Sequence, residues 1–386
     1  MNTQEIENKY MAPTYGRRDI TIVKGDGAIL FDDNGKEYID CFSNVGVNIL
    51  GHNVPELNDA VYSQMQKITN LHCSFYNDTR AEFSKALIEV CPDKLTKVFF
   101  CNSGTESIEA AIKFARLASG KKHFLSAKMG YHGKTMGALS LTTTNPKYRE
   151  SFSPLLENVS HYSFNDINSV KESITDDTAA IFIEPIQGES GIRPADKTFM
   201  KELRALCDEK NIFLVADEVQ SGMGRTGKMF AIEHYGINPD IMCLAKGIAG
   251  GVPMGATIAT EAVASKMFSG CHTNTFGGNP LACAAGITTL NYIKNRKLLE
   301  NASVVGEYFI EQLKSIDSNL IREVRGIGLM IGVEFKTRAV PYIKALQDEG
   351  VLVFPSGNLV IRFLPPLVFT KKQVDEVIVK FKKILV

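Results

Sequence analysis

The chain has 386 residues, and its 43 Lys+Arg balance 43 Asp+Glu, for a formal net charge of zero. That balance excludes a broad electrostatic grip on nucleic acid or on an anionic membrane surface. With 44% hydrophobic and 22% charged residues, the chain is ordinary for a globular protein and long enough to bury a core without disulfide or metal staples.

The eight cysteines are scattered with no Cys-x-x-Cys pair, and the seven histidines show no His-Glu-x-x-His spacing. Reduced, mostly buried thiols in a cytoplasmic protein with no metal site are the expectation. Residues 1–10 are polar and acidic, so they do not read as a signal peptide. Residues 267–293 carry no Asp, Glu, Lys or Arg, but the helical part after Pro280 is too short for a ~30 Å hydrocarbon layer. No membrane span is expected.

Strand-like pieces at 20–23, 29–32 and 37–39 are joined by Gly-rich and Asn-Gly turns. A strand at 98–101 leads into a helix at 104–118, a strand at 179–183 into a helix at 198–210, and short apolar runs follow at 212–216 and 241–245. Strands alternating with helices predict right-handed crossovers and a mostly parallel sheet, with ligands beyond the carboxyl ends of its strands. The tail reads as strands at 321–325, 329–335, 351–354 and 359–363 with helices at 340–348 and 371–384. The expected class is α/β: a large domain over 51–295, with residues 1–50 packing beside a small α+β domain at 296–386.

Two glycine motifs are decoys. Gly222-Met223-Gly224-Arg225-Thr226-Gly227 satisfies the dinucleotide pattern, and Gly227-Lys228 nearly completes a P-loop, but Met229 stands where magnesium needs Ser or Thr. The preceding Asp217 and Glu218 would repel phosphate.

Three other elements carry chemistry. Asn102-Ser103-Gly104-Thr105-Glu106 opens a helix after a strand. It reads as a Ser-x-x-Glu capping box, or as a phosphate seat made by helix N–H groups and two hydroxyls. Asp217 ends an apolar run, where a buried carboxylate needs a cationic partner: a Lys or Arg, or the protonated ring nitrogen of a cofactor. Lys246 enters a Gly-rich turn from another apolar run, and a desolvated lysine can be neutral near pH 7 and form a Schiff base. Phosphate cup, ring-nitrogen acid and buried lysine, in this order, describe a site for pyridoxal 5'-phosphate.

The chain resembles the class III (ω-amino) aminotransferases of fold type I over nearly its whole length, within them most closely the acetylornithine aminotransferase group. The resemblance rests on Thr14-Tyr15-Gly16-Arg17, residues 102–106, Tyr131-His132-Gly133, Glu184-Pro185-Ile186-Gln187-Gly188-Glu189, Asp217-Glu218-Val219-Gln220, Ala245-Lys246-Gly247, Thr275-Phe276-Gly277-Gly278-Asn279-Pro280 and Arg362-Phe363-Leu364-Pro365-Pro366. It implies a seven-stranded, mostly parallel sheet in the large domain. It also implies that Lys246 is the Schiff-base lysine and proton carrier, that Asp217 pairs with the pyridinium nitrogen, and that Val219 and Tyr131 sandwich the ring. Gln220 would bond the phenolic oxygen. Ser103, Gly104 and Thr105 would hold the phosphate, joined by Thr275 of a second subunit, so a homodimer is part of the expectation.

Arg362 would bind the α-carboxylate of glutamate or 2-oxoglutarate, and Glu189 would mask it when an ω-amino donor enters. Where the acetylornithine group carries arginine after the aromatic-His-Gly, this chain has Lys134, which keeps the charge but loses the planar fork. Arg17 or Arg18 is a candidate replacement. A related branch acts on lysine or ornithine attached to a small acidic carrier protein. 4-Aminobutyrate, free ornithine, a diamine, and a racemase or aminomutase on the same fold are the alternatives.

Overall fold

The structure, a computed structural model, describes residues 1–385. Its largest sheet has seven strands in the order Leu95–Cys101, Gly255–Thr260, Ile241–Leu244, Phe213–Asp217, Thr178–Ile183, His123–Ala127 and Val159–Tyr162. Six strands run the same way, and only Gly255–Thr260 runs against both neighbours. The central strands Thr178–Ile183 and Ile241–Leu244 are buried at every position. Continuous apolar runs are what a sheet covered on both faces requires.

The helix Gly104–Ser119 packs its Ile108, Ala111 and Ala115 face on this sheet. It stops at Gly120, whose left-handed φ of 71° only glycine adopts without strain. The stretch 267–293 contains the helix Pro280–Asn295 of 16 residues. No helix among the described residues is long and apolar enough to cross a membrane.

The chain ends form two four-stranded sheets. Ile22–Asp26, Ile29–Asp32 and Glu37–Asp40 are joined by Val351–Leu352, which lies parallel to Glu37–Asp40. Ile321–Ile327, Met330–Phe335, Val360–Phe363 and Phe354–Ser356 form an antiparallel sheet. The apolar run 351–354, expected as one strand, is thus divided at Val353 between two sheets. The Val353 carbonyl, left without a ladder partner by that switch, accepts a hydrogen bond from the Arg18 guanidinium.

Three strands of the seven-stranded sheet escaped the sequence reading: His123–Ala127, Val159–Tyr162 and Gly255–Thr260. The last consists of Gly, Ala, Thr and Ile, and its small residues pack where the backbone of the Ser103 turn comes close. A Cβ on Gly255 would meet the sulfur of Cys101 at 2.8 Å.

Candidate active site

Ser103, His132, Glu184, Asp217 and Lys246 all stand at or just beyond the carboxyl ends of parallel strands, where the sheet leaves backbone ends uncovered. They surround a cavity of about 490 Å³. Gly104, Thr105, Tyr131, Lys134, Glu189, Val219 and Gln220 line it as well. Of the sequence-derived site residues, only Arg362 and Thr275 lie outside its lining. Arg362 stands directly behind Glu189, while Thr275 is exposed on the loop after Ser269.

Ser103 caps the helix Gly104–Ser119, its Oγ accepting from the Glu106 N–H at 3.3 Å. The expected capping box is only half formed. Glu106 reaches past Ser103 to the Asn102 N–H at 2.5 Å and the Asn102 side-chain amide at 3.0 Å. Among the described residues nothing engages the Gly104 and Thr105 N–H groups, which open into the cavity at the positive end of the helix dipole. The Thr105 hydroxyl is committed elsewhere. Thr135 donates to the Glu109 carboxylate at 2.5 Å, so the 2.7 Å bond between the two threonine hydroxyls has Thr105 as donor. Thr105 therefore offers an anion its backbone N–H, and Ser103 supplies the free hydroxyl.

Asp217, 5% exposed, accepts from His132 Nδ1 at 2.7 Å through Oδ2 and from the Val219 N–H at 3.0 Å through Oδ1. Burial alone would favour neutral His132. The Asp217 hydrogen bond and charge outweigh it, and the imidazole pKa is raised. The partner that buried Asp217 finds within the chain is thus a histidine, not a lysine or arginine. His132 Nε2 is buried and has no partner.

Glu184 lies beside this pair, its Oε1 accepting from the Tyr131 N–H at 2.9 Å and Oε2 from the Gly188 N–H at 3.0 Å. Burial pushes its pKa up to about 7. Sequence reasoning assigned no role to His132 or Glu184, although both stand in the motifs that carry the resemblance. The signal for Glu184 was polarity directly after the apolar strand Thr178–Ile183.

Lys246 adopts φ +47°, a sparsely populated conformation for a non-glycine residue and one that collects at functional sites. Gly247 next to it packs on Ile49, where a Cβ would come within 2.8 Å of the Ile49 side chain. Among the described residues its amine has no hydrogen-bond or ion-pair partner. Burial, opposed by Glu189 and helped by Arg362, lowers its pKa to about 8.

Arg362 is buried on the strand Val360–Phe363. Its Nη1 donates to Glu189 Oε1 at 2.7 Å, the Gly188 carbonyl at 2.8 Å and Gln220 Oε1 at 3.1 Å. Nε and Nη2 are buried without partners. Gln220 accordingly has its carbonyl on Arg362. Neither candidate replacement arginine reaches the cavity: Arg17 pairs with Glu7 at 2.9 Å, and Arg18 serves Val353. Lys134 is exposed at the mouth, its ammonium 4.2 Å from the centre of the Tyr148 ring.

The family model described as Aminotransferase class-III matches residues 10–385. The chain belongs to the class III aminotransferases. It is similar to the [LysW]-aminoadipate semialdehyde transaminase of Deinococcus radiodurans, 46% identical over 382 residues, covering 98% of this chain and 89% of the relative. It is equally similar to the acetylornithine aminotransferase of Methanopyrus kandleri, 46% identical over 380 residues and 97% of each chain. Among solved structures it matches the ornithine aminotransferase of Toxoplasma gondii with a TM-score of 0.95 at 30% identity, covering 99% of this chain and 93% of that one, a structure described with partial occupancy of PLP at the active site.

Class III aminotransferases use pyridoxal phosphate, and this cavity fits it. Two free helix N–H groups meet the phosphate's need, an acid fixed by His132 meets the ring nitrogen's, and an unpaired lysine amine stands ready for the aldehyde. In this class III aminotransferase Gly104 is a tight point of the cup. A Cβ there would stand 2.7 Å from Val219 Cγ1. Gly104→Ala is expected to push Val219 and the helix start apart, an overpacking of about 1–3 kcal/mol. Pyridoxal phosphate retention, measured by dialysis and residual visible absorbance, should fall roughly tenfold for each 1.4 kcal/mol that acts on the bound state. Unchanged retention would show that the close contact relaxes without moving the cup.

Proposed function

We propose that the enzyme moves a terminal amino group from a donor whose α-amino group is capped to 2-oxoglutarate, giving glutamate and a semialdehyde, or the reverse in the biosynthetic sense. The donor is acetylornithine, or lysine or ornithine held by a small acidic carrier protein. The observation that carries transfer from a terminal amino group is the 2.7 Å pair between Glu189 and Arg362; the choice of a capped donor is supported by the likeness to the two relatives at 46% identity. Glutamate brings an α-carboxylate next to its reacting amine; a terminal amino group does not. A site serving both must show a buried cation in one half-reaction and hide it in the other.

Arg362 is anchored by the Gly188 carbonyl, and its unpartnered Nε and Nη2 form a fork that suits a carboxylate bidentately. Glu189 is the movable element, with 27% of its side chain exposed against none of Arg362's. Burial penalises the Glu189 charge, yet Arg362 and then Lys246 hold its pKa below the ordinary carboxylate range, so it stays ionised and masks Arg362. Lys134, with no carboxylate partner among the described residues, receives the donor's own carboxylate or the distal one of glutamate.

When bound, pyridoxal phosphate supplies an electron sink for the carbon that loses its proton. Lys246 Nζ would carry that proton, Asp217 would face the ring nitrogen, and the 2.7 Å hydrogen bond to His132 would aim Asp217. Tyr131 and Val219 would hold the ring from its two faces, and Gln220, which lines the same cavity, would bond the phenolic oxygen. Ser103, Gly104 and Thr105 seat the phosphate.

Thr275 completes the phosphate seat of a second copy, so the working unit is a homodimer. The exposed side chains of Phe75, Tyr76, Phe268 and Phe276 support this. The Cys73 thiol donates to the Gly277 carbonyl at 3.3 Å, tying the loop of Phe75 and Tyr76 to that of Phe276. A fully active monomer in sedimentation would remove that step.

The test is Glu189→Ala. Cofactor binding should be unchanged, while single-turnover preference shifts toward glutamate over acetylornithine by about 10-fold or more, the effect of leaving one buried charge unpaired in one half-reaction. The donor panel includes carrier-linked lysine, free ornithine, 4-aminobutyrate and a diamine. Equal rates with capped and uncapped donors would sink the donor assignment, and an unmoved ratio would sink the gate.

A further inference from the structure

On the opposite side of the turn that carries Glu189 lies a second cavity, of about 390 Å³, whose lining includes Arg193, Arg325 and Arg338 and one carboxylate, Glu334. We propose that it is a binding site for a small oxydianion, phosphate or dicarboxylate, whose occupancy is read by the Glu189 turn.

Two guanidinium groups meet over Gly191. The position a Cβ would take there is 2.8 Å from Arg325 Nη2 and 3.9 Å from Arg193 Nε. Arg325 Nη2 is buried with no hydrogen-bond partner. The carboxylates nearby are already used. Glu334 holds Arg322 at 2.7 Å with one oxygen and Arg325 at 2.7 Å with the other, and Glu323 holds Arg325 at 2.5 Å. Arg193 and Arg338 are exposed and have no carboxylate partner among the described residues. Like charges brought this close repel. A dianion between them would remove the repulsion and satisfy Nη2 through charge-assisted bonds.

The same arginine grips the gate. Arg325 Nε donates to the Gly191 carbonyl at 2.8 Å and the Ile192 carbonyl at 3.1 Å. Ser356 Oγ bridges the turn, accepting from the Gly191 N–H at 2.6 Å and donating to the Gly188 carbonyl at 2.8 Å, the carbonyl on which Arg362 also rests. An anion that draws Arg325 outward changes the hold on the turn between Gly188 and Gly191, and so the balance between the paired and open states of Glu189. The binding stands without the function proposed above; the coupling rests on it.

The test is calorimetric titration of the holoenzyme at constant ionic strength with inorganic phosphate and, separately, succinate. The tighter of the two names the source of the anion. Saturable binding is expected, weakened about tenfold or more in Arg193→Ala/Arg338→Ala by the loss of two charge-assisted contacts. Saturating anion should also change the single-turnover ratio of glutamate to acetylornithine in the wild-type enzyme and leave the ratio in the double variant unmoved. Absence of saturable binding, or equal affinity in the variant, would overturn the site. A ratio that responds equally in both proteins would place the anion in the substrate cavity and overturn the coupling. The calorimetry needs no turnover, so its failure is separable from failure of the donor assignment.

Discussion

Lys246→Ala is expected to abolish measurable amino transfer, with a loss of about 10²–10⁴-fold from proton transfer alone, while the fold survives. The side chain opens into the cavity and pairs with nothing among the described residues, so its removal leaves no buried partner unsatisfied. The pH dependence has a definite sign. Burial lowers the Lys246 pKa to about 8, from the ordinary lysine value near 10.4. The amine becomes a free base, and so a nucleophile, as pH rises through about 8. The rate at which apoenzyme captures pyridoxal phosphate should climb through that range and level off above it. In Glu189→Gln, which removes a charge that favours the ammonium form, the climb should begin at lower pH. A capture rate flat from pH 6 to pH 9 would show that Lys246 is not the titrating nucleophile. Lys246→Ala protein should bind the cofactor without becoming fixed to it on borohydride reduction.

Asp217→Asn is expected to cost about 10³-fold in transfer. The substitution keeps the shape and an acceptor for His132 but deletes the charge. An attraction between unit charges about 4 Å apart at an effective dielectric near 20 is about 4 kcal/mol, or roughly three powers of ten in rate. The decisive readout is His132, because a merely structural role would not move it. Its pKa is raised because the Asp217 hydrogen bond and charge outweigh burial. With that charge gone, burial dominates and the imidazole should titrate below its ordinary range, observable by NMR of labelled histidine. The same shift carries a stability consequence. A histidine raised by folding stabilises fully below its unfolded pKa, and this contribution is lost as pH rises through the folded value. Asp217→Asn should remove that window of acid-side stabilisation. An unmoved His132 titration would mean that Asp217 does not hold its proton.

Much of this site was visible before any coordinates. Lys246 and Asp217 stood out because a charged residue directly after four or five apolar ones must face something specific. The helix start at Ser103 was equally plain, since Ser-Gly-Thr after a strand leaves backbone donors without partners. The decoy at 222–227 fails on the charge of Asp217 and Glu218 and on Met229 at the magnesium position. It folds as a glycine-rich loop in which the Arg225 guanidinium is spent on the Leu329 and Pro365 carbonyls.

What stayed hidden were partners across the fold. Nothing in the spacing tells that Glu106 bypasses Ser103 for Asn102, or that Thr105 turns its hydroxyl to Thr135, 30 residues away. Arg18 could be nominated as a carboxylate ligand until Val353 was seen to need a donor.

The chain by itself determined the zero net charge, the alternation of apolar runs with amphipathic helices and the type of polar residue at each strand end. Those are properties of local order: period, turn chemistry and the cost of placing charge beside apolar surface. Only the tertiary structure decided which of those groups meet. It set His132 on Asp217 across 85 positions and Glu189 on Arg362 across 173, and it placed two guanidiniums over Gly191 behind the gate. The neutral average thus hides local clusters in which cations and carboxylates meet, such as Arg362 with Glu189 and His132 with Asp217. The physical reason is range. Propensity and pattern act over a few residues, whereas a buried charge takes its energy from whatever the folded sheet brings within about 4 Å of it.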